Sequence, residues 1–193
     1  MKDKQMKNQR RVNTSHLTLM GLLFALSITL TAVEYLLPPL PMLPPGVKLG
    51  LSNIVTMYCL FFLGRRSAFT IVFLKSAFVF LMRGFTAFLM SFSGGILSAL
   101  VMMLLLLLVR QNISYLIISI AGAITHNLGQ IIVASFLLGT ALVFAYLPVL
   151  LISGVIMGTL TGTLLKVVMP AFNAIGNVTP DSMNRQSRSN KNI

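Results

Sequence analysis

Six apolar segments succeed one another along the chain, at about 17–37, 49–63, 67–82, 85–109, 113–138 and 141–168. A spanning helix needs about 20 residues, with a working range of roughly 17–25. The second and third segments are short, which raises a re-entrant hairpin as a rival. Its tip would be "GRRS", putting Arg65 and Arg66 at membrane depth. Each such charge costs roughly 2.5–3.5 kcal/mol on insertion scales. Two full but short spans, with that tip in the cytoplasm, cost less. The pattern predicts an all-α integral membrane protein, a bundle of about six transmembrane helices over residues 17–168. A basic segment (1–16) precedes it, and a polar tail (169–193), rich in Asn, Ser and Arg, is expected to be disordered.

Composition agrees. The 193 residues are 56% hydrophobic and 9% charged, against roughly a quarter charged in soluble domains. Lipid must be the main solvent. The net charge of +12 would suit a nucleic-acid binder, but its placement argues against one. With the N-terminus inside, twelve of the fifteen basic residues fall on cytoplasmic segments. Lys48 and Arg83 fall outside, and Lys75 lies within a span. That asymmetry orients the chain with both termini in the cytoplasm. The basic start and first apolar run look like a signal peptide, but the run is about 20 residues long. No small-residue cleavage site follows it, so a retained first span is expected. The first external connection holds five prolines between residues 38 and 45. Such a path is stiff and extended, a spacer or the rim of an external pocket.

The inventory excludes several chemistries. Asp3, Glu34 and Asp181 are the whole acidic complement, too few to hold magnesium on a diphosphate as prenyl transfer requires. There is no GxxxxGK[ST] loop for ATP hydrolysis. Two histidines and the lone Cys59 make neither a zinc nor a haem site. No metal, cofactor or catalytic residue is expected, which leaves binding and translocation.

Polar residues inside spans are costly and are hypotheses about function. The stretch "ITHNLGQII" places His126 and Gln130 four apart, on one helix face, with Asn127 beside them. On the predicted topology these share the outer half of the bundle with Glu34, Lys48, Asn53, Lys75 and Arg83. The charge surplus there is positive, which favours an anionic ligand group. Each residue also has a plainer role. Glu34 can pair with Lys48 or Arg83, Arg83 can anchor to headgroups, and His126 and Asn127 can bond between helices. Small residues recur every fourth position as Gly154, Gly158 and Gly162, and as Gly21, Ala25 and Thr29. Such stripes let helices approach closely. The first suits internal packing, the second a membrane partner as well.

The stretches "LPPGVKLGLSNIVTMY", "SFSGGILSALVM" and "GAITHNLGQIIVA" resemble the bacterial membrane family of Gx transporters, also labelled heptaprenyl diphosphate synthase component I. The likeness covers about residues 17–168. That family is similar in turn to the S components of energy-coupling factor transporters. These are bundles of about six helices that capture a small molecule from outside. The resemblance implies a place in the bacterial cytoplasmic membrane, a transmembrane coupling protein and cytoplasmic ATPases as partners. It carries the PGxKLGLxN motif onto Pro45, Gly46, Lys48, Leu49, Gly50, Leu51 and Asn53, and HNxGQ onto His126, Asn127, Gly129 and Gln130. The family's docking stripe, usually AxxxA, falls on Gly21, Ala25 and Thr29, where only the middle residue fits. Two functions follow as expectations. One is a substrate-binding subunit of such a transporter, for an anionic or amphipathic metabolite. The other is a non-catalytic membrane component that supports polyprenyl diphosphate or quinone synthesis.

Overall fold

The computed structural model describes residues 2–36, 50–109 and 114–176. Among these residues six α-helices form in order: α1 (Lys2–Leu36), α2 (Asn53–Tyr58), α3 (Arg65–Arg83), α4 (Phe85–Val109), α5 (Tyr115–Leu138) and α6 (Leu147–Gly176). A π-helical stretch, Cys59–Leu63, extends α2, and a 3-10 turn, Ala141–Tyr146, leads into α6. The all-α bundle expected from the apolar pattern is the architecture the chain adopts. Among the described residues, four stretches are long and apolar enough to cross a membrane: His16–Glu34, Phe85–Leu108, Tyr115–Leu138 and Ala141–Val167.

The other two segments differ from simple spans. With its π extension α2 covers 11 residues, about 16 Å of rise at 1.5 Å per residue, or half of a hydrocarbon core of about 30 Å. Gly50 to Ser52 therefore approach α2 as non-helical backbone, with Gly50 at φ +86°. Such backbone survives at depth only where protein surrounds it, and Gly50 and Ser52 are both buried. The π-helical stretch ends at Gly64, and α3 ends at Gly84. Both glycines have positive φ, which breaks the chain into separate helices without a long loop. A Ser114 hydroxyl caps α5 by accepting from the Leu116 N–H at 3.3 Å, and left-handed Gly139 terminates it.

At its two ends the chain is more helical than the apolar pattern alone indicates. The first helix begins at Lys2, so the basic segment continues the first span as helix. The last runs to Gly176, eight residues into the stretch assigned to the polar tail. Residues 177–193 lie outside the described residues.

The centre of the bundle is α5, packed between α4 and α6. Glycine makes these contacts close. A methyl group on Gly129 would sit 2.8 Å from the Gly94 Cα. On the other side Gly154, Gly158 and Gly162 ride against the α5 backbone at Ile124, Ile120 and Leu116. Their stripe is internal packing. Apolar side chains from several helices, including Leu23, Met57, Cys59, Ile71, Met102, Ile118 and Leu165, fill a core of their own. Cys59 is fully buried there. By contrast, among its described side chains α1 buries one stripe, Leu23, Ser27, Thr31 and Glu34, at the helical spacing of 4, 4 and 3.

Candidate ligand-binding site

The site grows from α2. Its polar residues Ser52, Asn53 and Thr56 are spaced to share one side of the chain's turn into the helix, and all three are buried. Across from them α3 supplies Lys75, 2% exposed. The ammonium of Lys75 donates to the Ser52 hydroxyl at 3.4 Å and to that of Thr56 at 3.5 Å. Both bonds lie beyond the usual N–H···O range of about 2.7–3.2 Å. Glu34, on α1, is the carboxylate whose charge acts on Lys75, and it accepts from the Gly50 N–H.

On the next side Asn53 donates its amide to the Ser98 hydroxyl of α4 at 2.8 Å. The carbonyl end of that amide has no partner among the described residues. Ser76 of α3 and Ser91 of α4 face each other at 3.5 Å. His126 and Gln130 bond to one another, ring Nε2 to amide nitrogen, at 2.6 Å. With the amide nitrogen donating, the ring accepts at Nε2 and is neutral. The ring lies under Gly50, where a methyl group would meet its Cδ2 at 3.1 Å. Gly94 of α4 packs on the opposite part of the same ring and on the His126 backbone. Thus Glu34, Gly50 and His126 join three distant parts of the chain.

Of the residues singled out in the sequence, the structure buries Glu34, Asn53, Lys75, His126, Asn127 and Gln130. It does not bring them into one cluster. Asn127 turns to α6, donating to the Leu150 carbonyl at 2.9 Å and the Ser153 hydroxyl at 3.3 Å. Its described bonds tie α5 to α6. Arg83 is exposed at the end of α3, and Lys48 lies outside the described residues. Gly21, Ala25 and Thr29 are all on the exposed side of α1. Two contributors had no distinct sequence signal. Ser98 is at none of the motif positions carried over from the family, and Gly50 was one motif glycine among several. A hydroxyl facing an asparagine across two helices is a tertiary fact that no spacing encodes.

Behind α2 lies a different space. Leu23, Leu26 and Leu30 of α1, Ile54, Val55 and Tyr58 of α2 and Leu164 and Leu165 of α6 line an apolar cleft of about 210 Å³. A single short helix therefore separates the buried polar side chains around Lys75 from an apolar cleft.

The sequence model of the family described as heptaprenyl diphosphate synthase component I matches residues 23–168. The chain belongs to that family. The match takes in every buried polar residue named above. No curated protein and no solved structure matches the chain. Membership of the heptaprenyl diphosphate synthase component I family and a multi-pass helical membrane fold stand together. Among the described residues, no three His, Cys, Asp or Glu side chains gather where a metal ion could be held.

Proposed function

We propose that the protein is the substrate-binding membrane subunit of a transporter of the energy-coupling factor type. It captures a small anionic or amphipathic metabolite from the external side. The observation that carries this reading is Lys75: a buried ammonium, under the influence of the Glu34 carboxylate, whose described hydrogen bonds are two long ones to neutral hydroxyls. A buried charge is costly unless well paired, and such a cation is kept where a ligand completes its shell. The free end of Asn53, on α2, adds a second unmet group. A transmembrane coupling protein and cytoplasmic ATPases would supply the energy, because the sequence has no nucleotide-binding loop of its own.

The test is uptake in cells. A ligand that co-purifies with the protein, identified by mass spectrometry, should accumulate in cells expressing it and fail to accumulate without an ATPase partner. Lys75→Ala should abolish binding, and His126→Ala should weaken it.

A second reading draws on the family description and on the apolar cleft behind α2. Here the protein is a non-catalytic membrane component that supports prenyl diphosphate or quinone synthesis, and the cleft shelters an apolar chain. It would then co-purify with a soluble prenyltransferase and change its product yield or chain length. That result, with no uptake phenotype, would replace the transport reading.

A further inference from the structure

The apolar cleft behind α2 is a gap that the fold leaves open. Among the described residues, α1 and α6 each pack against α2 but share little contact with one another. The short helix is the floor, and the two long helices are the walls. Eight of the ten residues lining the cleft are aliphatic. Of the other two, Thr161 has its hydroxyl engaged with Ser119 at 2.6 Å, and Tyr58 stacks its ring on Phe62. A space lined in this way stays dry, and left empty it forfeits dispersion contacts along its walls. Hydrocarbon suits it. Leu26 and Leu164, one on each wall, are 40% and 43% exposed, so the mouth opens sideways to the bilayer. A helix is about 10–12 Å across with its side chains, too thick for a cleft of about 210 Å³. A single chain fits.

What that chain is attached to follows from the charge at one end. The cleft extends from Leu30 to Leu23 along α1, about 10 Å at 1.5 Å per residue. His16 begins the apolar stretch of α1, about 10 Å beyond Leu23. Its ring Nε2 meets the Ser67 hydroxyl at 3.4 Å, so the start of α3 is level with His16. Arg65 and Arg66 stand there, both exposed. Lys166, also exposed, follows Leu165 on the opposite wall. The Glu34 carboxylate lies at the other end of the α1 stretch. Basic groups between membrane helices on the cytoplasmic side bind anionic lipid headgroups, and guanidinium forks match a phosphate. The excess of basic residues orients this end to the cytoplasm. We propose that the gap between α1 and α6 binds an anionic phospholipid of the cytoplasmic leaflet. One acyl chain lies in the cleft, and Arg65 and Arg66 hold the phosphate, with Lys166 on the other wall. Half of a hydrocarbon core of about 30 Å is about 15 Å, so a chain rooted at that level reaches the cleft with its distal part. The site is independent of the transport reading, and it competes with the second reading for the same space.

The experiment uses the full-length protein in mild detergent, with retained lipids identified by mass spectrometry. Native mass spectrometry then compares phosphatidylglycerol with phosphatidylcholine carrying the same two chains. Phosphatidylglycerol should be retained on the order of tenfold more strongly, as two basic residues near a headgroup imply. Replacing both arginines, Arg65→Gln with Arg66→Gln, should bring the two lipids level without lowering the melting temperature of the lipid-free protein. Leu164→Phe should fill part of the cleft and weaken retention of both lipids, and Leu26→Phe should do the same from the other wall. Equal retention of the two lipids by the unaltered protein overturns the proposal, and so does a preference that survives loss of both arginines. Geranylgeranyl diphosphate is added as a competitor. If it displaces phosphatidylglycerol at equal concentration, the cleft is a site for a prenyl chain and the phospholipid assignment falls.

Discussion

The first and fifth helices carry the same ingredients and use them in opposite ways. Each has a polar series at helical spacing: Ser27, Thr31 and Glu34 in α1, and His126 and Gln130 with Asn127 in α5. Each also has small residues. In α5 both sets are inside, because α4 and α6 cover it on two sides and Gly129 meets Gly94 almost backbone to backbone. In α1 the polar series is inside and the small residues are outside, with no atom within 4 Å of where a Gly21 methyl would be. A small-residue stripe is thus no guide by itself to a helix's surroundings. In α5 and α6 the stripes hold the bundle together. In α1 the stripe is left for lipid or for a membrane partner.

The contrast can be broken most sharply at Gly158. It meets the Ile120 backbone so closely that even a methyl group has no room. Overpacking typically costs about 1–3 kcal/mol, and the obstacle here is backbone, which cannot rotate away. Gly158→Leu should therefore abolish the monodisperse peak in size-exclusion chromatography. Next comes the inward stripe of α1. Leu23 is 1% exposed in the apolar core, and Leu23→Ala should cost roughly 2–5 kcal/mol as a large-to-small core change, read as a lower melting temperature in micelles. If Leu23→Ala had no effect, α1 would not be held by its buried stripe.

A smaller effect is expected where α5 meets α6. Asn127→Ala removes the bond to the Leu150 carbonyl but also removes a carbonyl oxygen that has no partner among the described residues. The loss should be about 0.6–2 kcal/mol, the range for hydrogen bonds between membrane helices. Ligand binding should be little changed, since Asn127 turns away from Lys75. A loss of binding as large as that of Lys75→Ala would return Asn127 to the site.

How much of this was legible follows from which forces act locally. Six helices were readable because membrane length and apolar runs fix them. The pairing of His126 with Gln130 was readable because i and i+4 share a face. The packing of Gly154, Gly158 and Gly162 was readable from their spacing. What the residues met across the bundle was not. Asn127 is adjacent to His126 in sequence, yet one helical step of about 100° sends it to a different neighbour. The late start of α2 was hidden, since the short segment read as 49–63 includes Gly50 to Ser52, where backbone conformation interrupts the helix. Ser98 emerged as the partner of Asn53 only when α2 and α4 were placed side by side.

The smallest stability effect should come from the outer face of α1, and it is the most informative about partners. Gly21→Val adds bulk where nothing stands within 4 Å of the new atom. Stability of the isolated protein should change by no more than about 0.5 kcal/mol, as for surface substitutions away from special features. If the stripe of Gly21, Ala25 and Thr29 is only a lipid-facing surface, uptake should be unchanged too. If it docks a coupling protein, Gly21→Val should leave ligand binding intact while reducing both co-purification of that protein and uptake. Ligand binding measured beside uptake therefore separates the inward face of α1, which carries Glu34, from the outward face, where a coupling protein would dock.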